Sequence, residues 1–206
     1  VAFSADSQTF AMGGSIGFPD AEIRTYTVDT WNYQRSLIEY WNIPDINFSA
    51  DGRLIVGGGT SRNVGVWDAV TGEQLFTLNH SSQISSLAIS PDSRYLATGL
   101  CQEAAADLSC TIGAVWLWDL QTGTLVETLP AFGTAVQDLE YSVDGSLLLA
   151  GSQNHVLTAF DTRDYSSLYV DGASNGGILG ISPDGYLFAT VGSIGDVNIW
   201  GIASVQ

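Results

Sequence analysis

One pattern recurs five times along this 206-residue chain, and a chain written that way folds as a string of similar units. The organising copy is the stretch from Ile178 to Trp200, ILGISPDGYLFATVGSIGDVNIW. Two apolar runs of strand length are hinged on Ser-Pro-Asp-Gly, and a Gly/Asp-containing turn leads into a third alternating run that ends in Trp. Pro at the second and Gly at the fourth place of the hinge favour a tight turn. Residues 186–191 and 197–200 are rich in the β-branched and aromatic types that strands prefer. Upstream, INFSADGRLIVGGG (46–59) closes in VGVWD (64–68), SLAISPDSRYLATG (86–99) in VWLWD (115–119), and DLEYSVDGSLLLAGS (138–152) in VLTAFD (156–161). VAFSADSQTFAMGGS (1–15) is a worn copy.

The hinge serines, Ser4, Ser49, Ser90, Ser142 and Ser182, stand 45, 41, 52 and 40 residues apart. A period near 40, with three strands leading to a Trp-Asp pair and a fourth strand after it, resembles the WD40-repeat family. The residues that carry the resemblance are Trp67-Asp68 and Trp118-Asp119, with Phe160-Asp161 and Trp200-Gly201 as degenerate forms. The resemblance implies an all-β chain, a β-propeller of four-stranded antiparallel blades with five recognisable WD40-like units. The units run about 1–42, 43–83, 84–135, 136–176 and 177–206. Val1 falls inside a strand and the fifth unit lacks an outer strand, so further blades upstream in the same chain are expected to complete the ring.

In such a meander the turns alternate between the two ends of a blade. The hinge turns and the turns after Trp-Asp share one face; the remaining connections share the other, the top. Top-face connections carry Phe18, Tyr40, Trp41, Arg62, Phe132 and an insertion, Leu100 to Ile112, that is peculiar to the third unit. Aromatic and Arg side chains dominate binding hot spots, so Tyr40, Trp41 and Arg62 are the candidate partner-binding residues, with local packing as the competing reading.

Charge narrows the partner. Twenty-two acidic residues face six Arg and no Lys, a net charge of −16. A nucleic-acid binder needs a cationic footprint to displace counterions, and anionic membrane surfaces are disfavoured on the same ground. No apolar run reaches the ~18 residues of a membrane helix, so no membrane insertion is expected within this segment. A protein partner is the expectation. Cys101 and Cys110 bracket the insertion. Either they form a disulfide, which calls for an oxidising compartment and leans the chain towards an extracytoplasmic setting, or they are two unrelated small apolar residues in a cytoplasmic protein. Without nearby His, two thiols do not complete a tetrahedral metal shell.

Catalytic signatures are missing. The chain has no P-loop, dinucleotide fingerprint, nucleophile elbow or zincin motif, and Gly57-Gly58-Gly59 precedes no helix that would cradle phosphate. The family resemblance gives His80 a structural role in a buried hydrogen-bond chain with Thr98 and Trp118, without a clear equivalent of the Asp that supports the His. Trp67, Asp68, Asp119 and Trp200 are structural on the same resemblance, and His155 falls in a surface turn. Two residues before each hinge serine stand Ala2, Asn47, Ala88, Glu140 and Gly180, facing the propeller axis. Only Glu140 is a carboxylate, whereas glycosidic acid/base work needs a pair; Asp45 and Asp138 lie near strand starts and could contribute to one, but read more as connection residues. The hinge aspartates (Asp6, Asp51, Asp92, Asp144 and Asp184) read as turn chemistry rather than calcium ligands. The expectation is a non-catalytic interaction scaffold with no cofactor and no metal. The alternative is a glycan-binding or hydrolytic domain built on the central pocket.

Overall fold

The structure is a computed structural model, and it describes residues 1–17, 20–40, 43, 45–106, 109–153, 156–169, 177–191 and 196–201. All regular structure among them is antiparallel strand, in five sheets whose spatial order follows the chain. The first sheet holds β1 (Ala2–Phe3), β2 (Thr9–Gly17), β3 (Asp20–Thr27) and β4 (Tyr33–Tyr40). The second holds β5 (Asp45–Phe48), β6 (Leu54–Gly58), β7 (Asn63–Asp68) and β8 (Gln74–Asn79). The third holds β9 (Ile84–Ile89), β10 (Tyr95–Ala104), β11 (Cys110–Asp119) and β12 (Thr124–Phe132). β13 (Val136–Tyr141), β14 (Leu147–Ser152), β15 (Leu157–Asp161) and β16 (Ser167–Tyr169) make the fourth. β17 (Gly177–Ile181), β18 (Leu187–Val191) and β19 (Val197–Gly201) make a three-stranded fifth.

The hinge between the first two strands of each sheet is built the same way five times. Its serine hydroxyl donates to the aspartate two residues on, in the pairs Ser4–Asp6, Ser49–Asp51, Ser90–Asp92, Ser142–Asp144 and Ser182–Asp184, at 2.5–2.6 Å. The same hydroxyl accepts the N–H five residues on, at 2.8–3.0 Å. The aspartate accepts a second backbone N–H, closing the turn. The place after the aspartate is left-handed, which glycine adopts without a Cβ clash. Gly52, Gly145 and Gly185 stand there, and Ser7 and Ser93 adopt the same positive φ in the other two copies. The recurring aspartates are therefore turn-formers.

Four apolar layers separate the five sheets. Ile23 and Leu37 meet Ile46, Ile55 and Trp67 between the first and second. Val64, Val66 and Leu78 meet Leu87, Leu96 and Trp118 between the second and third. Leu117 and Leu129 meet Leu139, Leu148 and Phe160 in the next layer, and Leu149 and Leu157 meet Phe188 and Trp200 in the last. Interior sheets are thus buried on both faces. Neighbours such as Ile55 and Val56, or Leu148 and Leu149, point into opposite layers. Continuous apolar runs in the middle strands follow from this, because neither face needs polar residues. Each fully buried Leu, Ile or Phe contributes roughly 1.5–3 kcal/mol.

Two sequence expectations are revised. The insertion in the third unit is not a loop set on a short hairpin. It lengthens both strands, with Leu100 opposite Ala114, Cys101 opposite Gly113 and, past two irregularities, Ala104 opposite Cys110. Strand pairing satisfies the backbone N–H and C=O groups that a bare loop would leave to water. Asp45 and Asp138 are also not connection residues. They lie within β5 and β13, the innermost strands of their sheets.

Candidate functional site

Polar side chains join the innermost strands. Asp45 accepts the Leu87 N–H at 2.7 Å and Asn47 donates to the Leu87 carbonyl at 3.0 Å, tying β5 to β9. Ser86 accepts the Leu139 N–H at 3.0 Å, tying β9 to β13. All five inner strands line one central cavity of about 420 Å³. Into it face Asn47 and Glu140, two residues before their hinge serines, and Asp45, Ser86 and Asp138, four before. The period-two rule applied one step further along the strand would have placed Asp45 and Asp138 here from sequence. Burial raises the Asp45 carboxyl above its ordinary range, against the Leu87 hydrogen bond that lowers it. Glu140 is raised by burial first, then by the charges of Asp45 and Asp138.

On the top face the three candidate residues fare differently. Arg62 occupies the β6–β7 turn with a left-handed backbone (φ 64°) and an exposed side chain. Its N–H donates to the Gly59 carbonyl at 3.3 Å, and its own carbonyl accepts the His80 N–H at 2.8 Å. A backbone held at both ends thus carries a free-standing guanidinium. Tyr40 ends β4, opposite Asp20. Trp41 lies outside the described residues, as do Phe18 and His155. The β10–β11 hairpin extends from the same face, and Cys101 and Cys110 form a disulfide across it with Cα atoms 5.7 Å apart.

His80, Thr98 and Trp118 come together beneath that face. His80 Nε2 lies 2.9 Å from Thr98 Oγ1, and the Trp118 indole N–H donates to it at 3.1 Å. The other ring nitrogen donates to the Leu78 carbonyl at 3.1 Å, so a backbone group stands where an aspartate was sought. Trp116 stacks on the imidazole at 5.3 Å between centroids. Burial lowers the His80 pKa to about 4, which leaves it neutral at pH 7. Trp200 makes the corresponding bond without a histidine, donating to Thr190 Oγ1 at 2.9 Å.

Trp67 is packed between the first two sheets, over Gly65. Asp68 and Asp119 cap the turns that follow them: Asp68 accepts the N–H groups of Val70 and Thr71, and Asp119 those of Gln121 and Thr122. These three residues serve packing and turn closure. Among the described residues no cluster of three or more His, Cys, Asp and Glu has the arrangement of a metal site. No described helix is long and apolar enough to cross a membrane.

Comparison with known proteins agrees with this architecture. The family model "WD domain, G-beta repeat" matches residues 72–110. Autophagy-related protein 16 of Arabidopsis thaliana is 24% identical over 98% of this chain and 47% of its own length. Eukaryotic translation initiation factor 3 subunit I of Aspergillus terreus is 34% identical over 65% of this chain and 37% of its own. WD repeat-containing protein SL1-17 of Schistosoma mansoni is 27% identical over 76% of this chain and 50% of its own. The chain therefore spans half or less of the length of these relatives. The matched family model and the WD-repeat relatives, with the repeated hinge, the Trp-Asp turns and the five antiparallel sheets, support a WD40-repeat family for this chain.

Proposed function

We propose that the chain is a non-catalytic protein-interaction scaffold that binds a protein partner through its top-face connections, with Tyr40, Trp41 and Arg62 as contact residues. The observation that carries this reading is Arg62, an exposed guanidinium on a backbone fixed by two hydrogen bonds. A side chain displayed that way loses little conformational freedom on binding. One relative is by name a subunit of a larger factor, which supports a role in assembly. Asp45, one of the carboxylates that face the central cavity, is engaged by the Leu87 N–H and joins two blades. The test is affinity capture with the wild-type chain and with Tyr40→Ala, Trp41→Ala and Arg62→Ala, alongside thermal melts. Loss of a specific captured protein at unchanged Tm is expected; equal recovery by all three variants would remove the site.

We further propose that additional blades cover the outer faces of the first and fifth sheets. The register of β18 and β19 puts Leu187, Val197 and Ile199 on one face, and all three are exposed. Met12 and Tyr33 of the first sheet are exposed as well. Light scattering coupled to size exclusion is expected to find the 206-residue chain self-associated. A compact monomer with one cooperative melt would overturn this.

A further inference from the structure

The turn face opposite Arg62 carries a second pocket, of about 170 Å³, between the third and fourth sheets. Its walls are the rings of Tyr95, Tyr141 and Tyr165, with Asp92 and Pro91 from one hinge and Thr162 from the turn after β15. Tyr141 is 6% exposed, and its hydroxyl is buried with no hydrogen-bond partner. A buried hydroxyl left unpaired is unfavourable, and the space beside it is several times the ~30 Å³ that one water occupies. Tyr165, Asp92 and Tyr95 all lie within electrostatic reach of that hydroxyl, and burial keeps the Tyr141 phenol protonated. The side chains of three tyrosines and Asp92 thus line one open space.

We propose that this pocket receives the cationic head of an Arg or Lys side chain carried by a basic polypeptide. The phenol oxygens and Asp92 offer acceptors to its N–H groups, and the tyrosine rings offer π faces to its charge. The chain already uses one of these rings in this way, with the Arg94 guanidinium 4.9 Å over Tyr95. That arginine and its counterpart across the pocket are otherwise engaged, Arg94 with Asp119 at 3.4 Å and Arg163 with Asp161 at 2.5 Å. Among the described residues no cation pairs with Asp92. An anionic ligand would meet Asp92 and a net charge of −16, and a hard metal ion would find one carboxylate where it needs several oxygen ligands. The same net charge draws basic segments towards the surface. This site stands apart from the top-face residues and does not depend on them.

The test is an NMR titration of the 206-residue chain, labelled in its tyrosine rings, with three blocked pentapeptides that differ in one central residue: Arg, Lys or the neutral isostere citrulline. Saturable shifts of the Tyr95, Tyr141 and Tyr165 rings with the Arg or the Lys peptide are expected, and none with citrulline. The two cationic arms identify which head group fits. Asp92→Asn keeps an acceptor for the hinge while removing the charge, and is expected to weaken binding roughly ten-fold or more. Tyr141→Phe is expected to weaken it too, without lowering Tm. Arg62→Ala, on the opposite face, is expected to change nothing, which separates this site from the top-face reading. Equal shifts with citrulline, no saturation with either cation up to about 5 mM, or full affinity in Asp92→Asn would each overturn the proposal. If Tyr141→Phe fails to fold, Asp92→Asn decides.

Discussion

The indole N–H of Trp118 donates to Nε2 of His80 at 3.1 Å, and that bond fixes where the imidazole proton sits. The indole cannot accept, so Nε2 must. The proton is therefore on Nδ1, where the Leu78 carbonyl receives it at 3.1 Å. An imidazolium would present N–H to N–H at Trp118. Burial, which lowers the His80 pKa to about 4, acts in the same sense.

This makes the fold sensitive to mild acid. His80 in the unfolded chain takes up its proton as pH falls through 6.5, and in the folded chain only near 4. The depressed pKa means stability is fully present above pH 6.5 and is lost as pH falls towards 4. The gap corresponds to a loss on the order of 3 kcal/mol. Urea denaturation at pH 7, 6, 5 and 4.5 should show it, and His80→Gln should flatten the pH dependence of that interval. A slope that survives in His80→Gln would assign the effect to other groups.

The hinge serines are expected to matter more than their size suggests. Ser142 is 1% exposed; its hydroxyl accepts the Leu147 N–H at 2.9 Å and donates to Asp144 at 2.6 Å. Ser142→Ala strands a buried N–H and should cost about 1–3 kcal/mol in a denaturant titration. A change below ~0.5 kcal/mol would mean that water replaces the hydroxyl.

Sequence periodicity made the repeat, the strands and the hinge chemistry legible, because each depends on residues close together in the chain. Ser142, Asp144 and Leu147 lie within one turn. The His80–Thr98–Trp118 chain was legible for a different reason, since family resemblance supplied contacts 18 and 38 residues apart. The backbone partner of His80 Nδ1 left no mark, because any residue at position 78 offers a carbonyl. The placement of Asp45 and Asp138 was lost by stopping strand periodicity two residues short. The tyrosine pocket could not be read at all. Tyr95, Tyr141 and Tyr165 sit on two sheets and three different connections or strands, and only the stacking of blades brings them together.

Close approach of blades makes one glycine irreplaceable and another dispensable. A Cβ on Gly113 would lie 1.9 Å from the Thr134 carbonyl oxygen, a backbone atom that cannot swing aside. A Cβ on Gly133 would meet nothing within 4 Å. Gly113→Ala should therefore destabilise by about 1–3 kcal/mol or more, with Gly133→Ala close to neutral. Comparable melting temperatures for the two variants would show that the third and fourth sheets can separate at little cost.

Reduction of the Cys101–Cys110 disulfide should loosen the hairpin tip and leave the blade intact. The bond closes a loop with a sequence separation of 9, and its loss returns roughly 2–3 kcal/mol of chain entropy to the unfolded state. Below the disulfide, β10 and β11 stay paired from Leu100–Ala114 to Tyr95–Asp119, packed on Val115, Leu117 and Trp118. Those pairs do not depend on the sulfur bridge. Hydrogen exchange of the Cys101→Ser/Cys110→Ser variant should thus lose protection over residues 101–113 while β9, β12 and the rest of β10 keep theirs, with a lower Tm. Loss of protection throughout the third sheet would mean instead that the disulfide nucleates the blade, and the pairing below it would have to be counted as its consequence.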